Sequence, residues 1–215
     1  MYLLMDGGDR DREFWEKHAA SYDRVLKLFG RPFPRMLSLV SESVSGAANV
    51  LEVAAGTGLV TIAMAPRVGH VVATDYAEAM VSALRKRVGE AGLANVECER
   101  GDIYALAFPP GSFDAVVACN VLHVVPDLPK AIQALCRVLS LGGKLVTASF
   151  CHDETRLSWL VSRAFAVVGQ PMHRRLTTAS LREAVEQAGV HVRLTETIPG
   201  LIPIGYVEGV LEGRR

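Results

Sequence analysis

The 215-residue sequence has no excess of either charge: 23 Lys and Arg stand against 23 Asp and Glu. Nucleic-acid binders commonly carry a basic excess or stripe, so the balance argues against a dedicated one. No apolar run reaches about 18 residues, so no transmembrane helix is expected. The longest candidate, "WLVSRAFAVVG", is interrupted by Arg163. The stretch "MYLLMDGGDRDR" has too short an apolar run, and acids where a signal peptide carries bases; a cytoplasmic location is expected. No C-x-x-C pair occurs: Cys98, Cys119, Cys136 and Cys151 are widely and irregularly spaced. Four buried thiols in a reducing compartment fit that spacing. A soft-metal cluster would need distant residues to converge, so no metal is expected. No Pro/Gly/Ser-rich linker and no repeat divides the chain.

What is present is apolar. Half the residues are hydrophobic and 21% are charged, which supports a substantial core in a single domain over residues 1–215. Residues 11–29 read as a helix in which Trp15, His18, Tyr22, Leu26 and Phe29 share one face. "GRPFPR" breaks it, and a second helix is expected over residues 36–45. Val-rich runs then alternate with helical patterns. "NVLEVA", "HVVATD", "NVECER", "FDAVVACN" and "KLVTASF" read as strands, with helices over residues 59–66, 77–91 and 128–140 between them. Asp127 is placed to cap the last of these, and Gly142–Gly143 to turn the chain into strand five. "LTTASLREAVEQAG" is a further helix, with Thr177 as its cap and Leu176 and Leu181 as a hydrophobic staple. "HVRLTETI" and "IGYVEGVLEG" follow, joined too briefly for a crossover. The pattern predicts a doubly wound, Rossmann-like α/β fold. Its seven-stranded sheet is mainly parallel, with an antiparallel edge pair.

Ligands of such sheets sit outside the carboxyl ends of the strands, near the point where strand order reverses. The first strand there runs into "EVAAGTG". Gly56 and Gly58 can take positive φ and let the backbone approach a ligand. A dinucleotide asks for G-x-G-x-x-G, and Thr61 stands where its third small residue belongs. Glu52 is more telling. A carboxylate on a buried strand is costly unless paired. S-adenosylmethionine brings an ammonium and a sulfonium to meet it, whereas a pyrophosphate would be repelled. Asp75, closing strand two, suits a ribose diol of either cofactor. Asp102, past strand three, can accept from an adenine amino group, with Ile103 against the ring.

With these motifs in place, the chain resembles the class I S-adenosylmethionine-dependent methyltransferases over about residues 20–190. It is most similar to the small-molecule group that includes ubiquinone/menaquinone-type and bacterial phospholipid N-methyltransferases. The resemblance implies that "VLEVAAGTG" binds the methionine part, bringing Ala54 and Ala55 beside Glu52, Gly56 and Gly58. It implies that Asp75 of "VVATDYAEAM" holds the ribose, with Tyr76 and Met80 alongside. In "GDIYALAFPPGSFDAVVACNVLHVV" it assigns Gly101, Asp102 and Ile103 to the adenine and Asn120 to the methionyl part. Tyr22 would cover the cofactor from a helical lid over residues 1–45, with Trp15 and His18 as further lid residues. Helix capping competes for Asp75, a turn for Asp102, and ordinary packing for Tyr22, Tyr76 and Met80. Two departures stand out: Ala54 replaces the usual first glycine, and His123 is followed by Val124 where two histidines are frequent.

The expected activity is transfer of a methyl group to a small, mainly apolar acceptor by in-line displacement. S-adenosylmethionine is the cofactor and S-adenosylhomocysteine the product. His123 is the candidate general base, a structural histidine being the competing reading. Residues 151–175 would cover the substrate, with Trp159, Leu160, Phe165 and Met172 as an apolar wall and His152 and Asp153 as contacts. Arg174 and Arg175 suit an anionic substrate, a lipid headgroup or simply solvent. The expected partner is a small or lipid-like molecule, with no nucleic acid and at most peripheral membrane contact. Arg12, Glu13, Glu16 and Lys17 give the first helix no basic bias toward lipid. A monomer or homodimer is expected. The rival readings are a non-catalytic S-adenosyl-binding regulatory subunit, and a dinucleotide-dependent oxidoreductase, which Glu52 and Thr61 oppose.

Overall fold

The computed structural model describes residues 7–28, 30–166 and 173–213. Two helices, α1 (Gly7–Leu28) and α2 (Phe33–Ser43), lead into alternating strands and helices. These are β1 (Asn49–Val53), α3 (Leu59–Met64), β2 (His70–Asp75), α4 (Glu78–Glu90), β3 (Val96–Arg100) and β4 (Phe113–Cys119). After them come α5 (Leu128–Val138), β5 (Leu139–Phe150), α6 (Arg156–Ala166), α7 (Thr178–Gln187), β6 (Val190–Ile198) and β7 (Ile204–Leu211). The strands form one sheet in the order β3-β2-β1-β4-β5-β7-β6. The five strands from β3 to β5 run parallel, and β7 pairs antiparallel with both β5 and β6. Strand order reverses between β1 and β4, which opens a crevice at their carboxyl ends.

Strand pleating decides which helix layer each residue meets. Val50 packs with Met36, Val40, Met64 and Leu84 under α2, α3 and α4. Leu51 and Val53 face the opposite layer, with Ile132, Leu135 and Leu181 of α5 and α7. Fully burying one such side chain stabilises by roughly 1.5–3 kcal/mol, so both faces of β1 hold the sheet. The helix starts follow their sequence signals. Asp127 accepts from the Lys130 amide at 3.1 Å, and Thr177 forms a reciprocal capping box with Ser180. Leu176 and Leu181 are both buried beside it.

One boundary differs from the sequence reading. β5 begins at Leu139, not at Lys144, and residues 140–143 loop out between the Phe113–Leu139 and Ala115–Lys144 pairs. The Gly142–Gly143 pair lies within this bulge, Gly142 at φ +79°, and does not separate α5 from the strand. No described helix is long and apolar enough to cross a membrane.

Candidate cofactor site

The β1–α3 loop is a chain of left-handed residues. Ala54, Gly56 and Gly58 have φ of +52°, +56° and +89°. Ala54 therefore adopts the conformation that glycine holds cheaply, despite its Cβ, which costs roughly 1–2 kcal/mol. Gly58 caps α3, and a Cβ there would sit 2.6 Å from Leu84 Cδ1. Its bareness lets α4 close on the loop. A Cβ on Gly56 would meet Tyr22 Cε1 at 3.6 Å, so the α1 ring rests directly over the loop.

Asp75 ties this loop to β2. One carboxylate oxygen accepts from the Gly56 amide at 2.8 Å and the other from Ala77 at 3.0 Å. Burial raises its pKa, and these backbone donors oppose the rise. Both carboxylate oxygens are thus engaged by backbone amides of the two loops. The Gly101 amide bonds to the Asp75 carbonyl at 2.9 Å, and Asp102 accepts from the Tyr104 amide at 2.9 Å. Asn120, just past β4, has φ +56°, and its Oδ1 is buried without a hydrogen-bond partner among the described residues.

These groups surround a cavity of about 170 Å³. Tyr22, Ala54, Gly56, Asp75, Tyr76 and Met80 line one part of it. Gly101, Asp102, Ile103 and Asn120 line the rest, together with Trp15. Sequence reasoning missed Asp11, Tyr104 and the apolar run Val121, Val124, Val125 and Pro126. A floor following strand four was foreseeable from the topology; the Asp11 contribution was not, because α1 reaches the cavity only through tertiary packing.

Four predicted residues do not line the cavity. Ala55 and Gly58 build the loop from behind. Glu52 shares the pleat parity of Val50 and so faces α3, where it is 2% exposed and accepts from the Thr61 hydroxyl. Burial, with a smaller contribution from Asp75, pushes its pKa up to about 8. The carboxyl expected to meet a ligand amine directly therefore lies one layer behind the cavity wall. His123 is also buried, its Nδ1 3.0 Å from Ser149 Oγ. Burial and the neighbouring His152 push it down to about 3, so its ring is neutral at ordinary pH and a poor proton acceptor. The geometry therefore opposes the general-base reading.

The insert also differs from expectation. Trp159 and Leu160 point outward and form no wall of the cavity. The Phe165 side chain and Met172 lie outside the described residues, as do the side chains of Leu26 and Phe29. His152 is buried with neither ring nitrogen partnered among the described residues. Asp153 pairs with Arg175 at 2.6 Å. His18 is exposed and stacks on Phe14. The four cysteines are free, and burial pushes Cys136 and Cys151 up to about 11, as inert thiols require.

Two contacts hold α1 across the opening. The Glu16 carboxylate accepts from the Glu78 and Ala79 amides at 2.8 and 2.9 Å, filling the bare N-terminus of α4. Asp11 meets His173 Nε2 at 2.7 Å. The His173 and Arg174 amides both donate to the His123 carbonyl at 3.2 and 3.1 Å, fastening that segment to the cavity floor.

A doubly wound sheet whose crevice holds a left-handed loop, a strand-end acid and a second acid after β3 fits the arrangement expected of a class I S-adenosylmethionine-dependent methyltransferase. Residues 50–143 match the family described as Methyltransferase domain. A demethylmenaquinone methyltransferase from Listeria welshimeri is 35% identical over 156 residues, covering 69% of this chain and 64% of the relative. A nocamycin O-methyltransferase from Saccharothrix syringae is 36% identical over 134 residues, covering 61% of this chain and 48% of the relative. The chain thus spans less than two thirds of these curated relatives. A SAM-dependent methyltransferase from Aquifex aeolicus shares the fold with a TM-score of 0.66 at 21% identity, covering 86% of this chain and 92% of that one.

Proposed function

We propose that the chain transfers the methyl group of S-adenosylmethionine to a small, mainly apolar acceptor by in-line displacement. One observation carries the reading: Asp75, Asp102 and the partnerless Asn120 Oδ1 converge on one cavity beneath Tyr22. The residues fit the cofactor chemically. Asp75 would take the ribose hydroxyls, Asp102 the adenine edge, and Asn120 Oδ1 a donor of the methionyl part. Glu52 would act through Thr61, as anionic support behind the loop. When bound, the cofactor supplies an already activated methyl group.

The protein's part is to orient and to keep the site dry. Aligning two bound reactants can lower a barrier by about 7–11 kcal/mol. Val121, Val124 and Val125 make the floor apolar, which suits a step that moves positive charge off sulfur. No general base is assigned, so the reading favours acceptors that are already nucleophilic. The two curated relatives act, by their names, on demethylmenaquinone and on nocamycin; an apolar ring system is the acceptor class we infer. Isothermal calorimetry with S-adenosylhomocysteine tests the core of this. Micromolar or tighter one-to-one binding is expected, and absence of binding would overturn it.

A further inference from the structure

Helix α6 is built inside out. Ser158 and Ser162, one turn apart, are completely buried, whereas Leu157, Trp159 and Leu160 are 56, 44 and 61% exposed. The burial of Ser158 has a local reason. Its amide donates to Thr155 Oγ1 at 3.0 Å and its hydroxyl accepts from the Thr155 amide at 3.0 Å, which caps the helix. The outward leucines and tryptophan have no such local reason. At about 100° per residue, Leu157 and Leu160 lie side by side, with Arg156, Trp159 and Arg163 on the adjoining arc.

Charge decides what this face fits. Arg156 and Arg163 are both exposed, and no residue of α6 is acidic. The Trp159 ring carries the Arg163 guanidinium at 5.0 Å and that of Arg175 at 5.9 Å. The acids nearby are engaged: Asp153 with Arg175, Glu154 with the Thr178 amide at 2.6 Å, and Asp11 with His173. Aliphatic side chains beside an indole, and the Arg156 and Arg163 guanidiniums with no ion pair among the described residues, match the boundary of an anionic bilayer, where each finds acyl chains, headgroup level or phosphate.

We propose that α6 docks this protein on an anionic lipid surface. The contact also has a direction. Trp159 connects through Arg175 to the segment whose His173 meets Asp11 at the cavity opening. Docking therefore brings the segment that holds α1 at the opening close to the bilayer. Resting on the methyltransferase reading, this deepens the acceptor class to a molecule dissolved in lipid. The acids that deny α1 a basic bias toward lipid are absent from α6.

Co-sedimentation with phosphatidylcholine vesicles, with and without phosphatidylglycerol, tests the docking. The full chain should pellet at least tenfold more with the anionic vesicles, and salt should reverse this. Trp159→Ser with Leu160→Ser, and separately Arg156→Glu with Arg163→Glu, should each lower partitioning at least tenfold with S-adenosylhomocysteine affinity unchanged. Equal pelleting on both vesicle types, or variants that partition like the parent, would overturn the proposal. So would a solution dimer that Leu160→Ser makes monomeric, because the face would then join copies of this chain. Calorimetry separates the two readings. Loss of vesicle binding with cofactor binding intact sinks the docking alone, and the reverse sinks the methyltransferase reading alone.

Discussion

The Glu16 carboxylate accepts a hydrogen bond from the Glu78 amide at 2.8 Å, across 62 positions of sequence. α4 has no cap of its own, since Ala77 precedes it. α1 thus supplies the missing cap, and the docking of α1 and the stability of α4 share one interaction. Glu16→Ala should cost about 0.5–2 kcal/mol, as cap losses do. Urea denaturation would show the loss. Dissociation of S-adenosylhomocysteine in stopped flow should be several-fold faster, because Tyr22 rides on the same helix.

Stability should peak near a pH of about 6.5. His123 and His152 are pushed down to about 3 and about 4 by burial, and Glu52 up to about 8. Unfolded histidine titrates near ~6.5 and unfolded glutamate near ~4.3. The histidine contribution is complete above the unfolded value and is lost as pH falls through the window toward their folded values. The Glu52 contribution is complete below its unfolded value and is lost as pH rises toward 8. Two histidine protons outweigh the Glu52 proton on the acid side, while Glu52 acts above. Each unmatched proton gives about 1.4 kcal/mol per pH unit. Denaturation midpoints across pH check the shape, and Glu52→Gln should flatten the alkaline limb.

The left-handed loop makes opposite predictions at two positions. Gly58→Ala forces a Cβ against Leu84 at a φ of +89° and should destabilise by about 1–3 kcal/mol. Ala54→Gly removes strain of ~1–2 kcal/mol while adding ~0.5–1 kcal/mol of chain entropy, so Tm should hold or rise slightly. Thermal scans of the two variants side by side decide it. A clear loss in Ala54→Gly would show that the Ala54 methyl has a packing role.

His152→Phe keeps a ring and deletes two nitrogens that have no partner among the described residues. Buried unsatisfied polar groups cost about 1–3 kcal/mol, so the variant should gain roughly 1 kcal/mol. A lower Tm would mean that the imidazole has a partner, such as ordered water. Imidazole proton resonances in parent and variant would then locate it.

Much of the fold was legible because its signals are local. Val-rich strands between amphipathic helices, the Asp127 cap and the Thr177 box each lie within a few residues. Asp75 and Asp102 were legible as cavity residues because the crevice of such a sheet lies at its strand ends. Glu52 was misplaced by one layer, although its parity with Val50 was countable. The α6 orientation was not readable, since helical period tells which residues share a face and not which face turns inward. The Glu16 cap was hidden for a different reason: no local pattern links two helices so far apart in sequence.

The placement of β7 between β5 and β6 has a bearing on how the chain is made. Residues 204–211 leave the ribosome after both strands that they join, yet they occupy an interior lane of the sheet. Until they emerge, β5 presents an open edge and β6 has nothing to pair with. Closing this side of the sheet during synthesis must wait on residues 204–211, and a nascent chain stalled before them would be left sticky and exposed to chaperones.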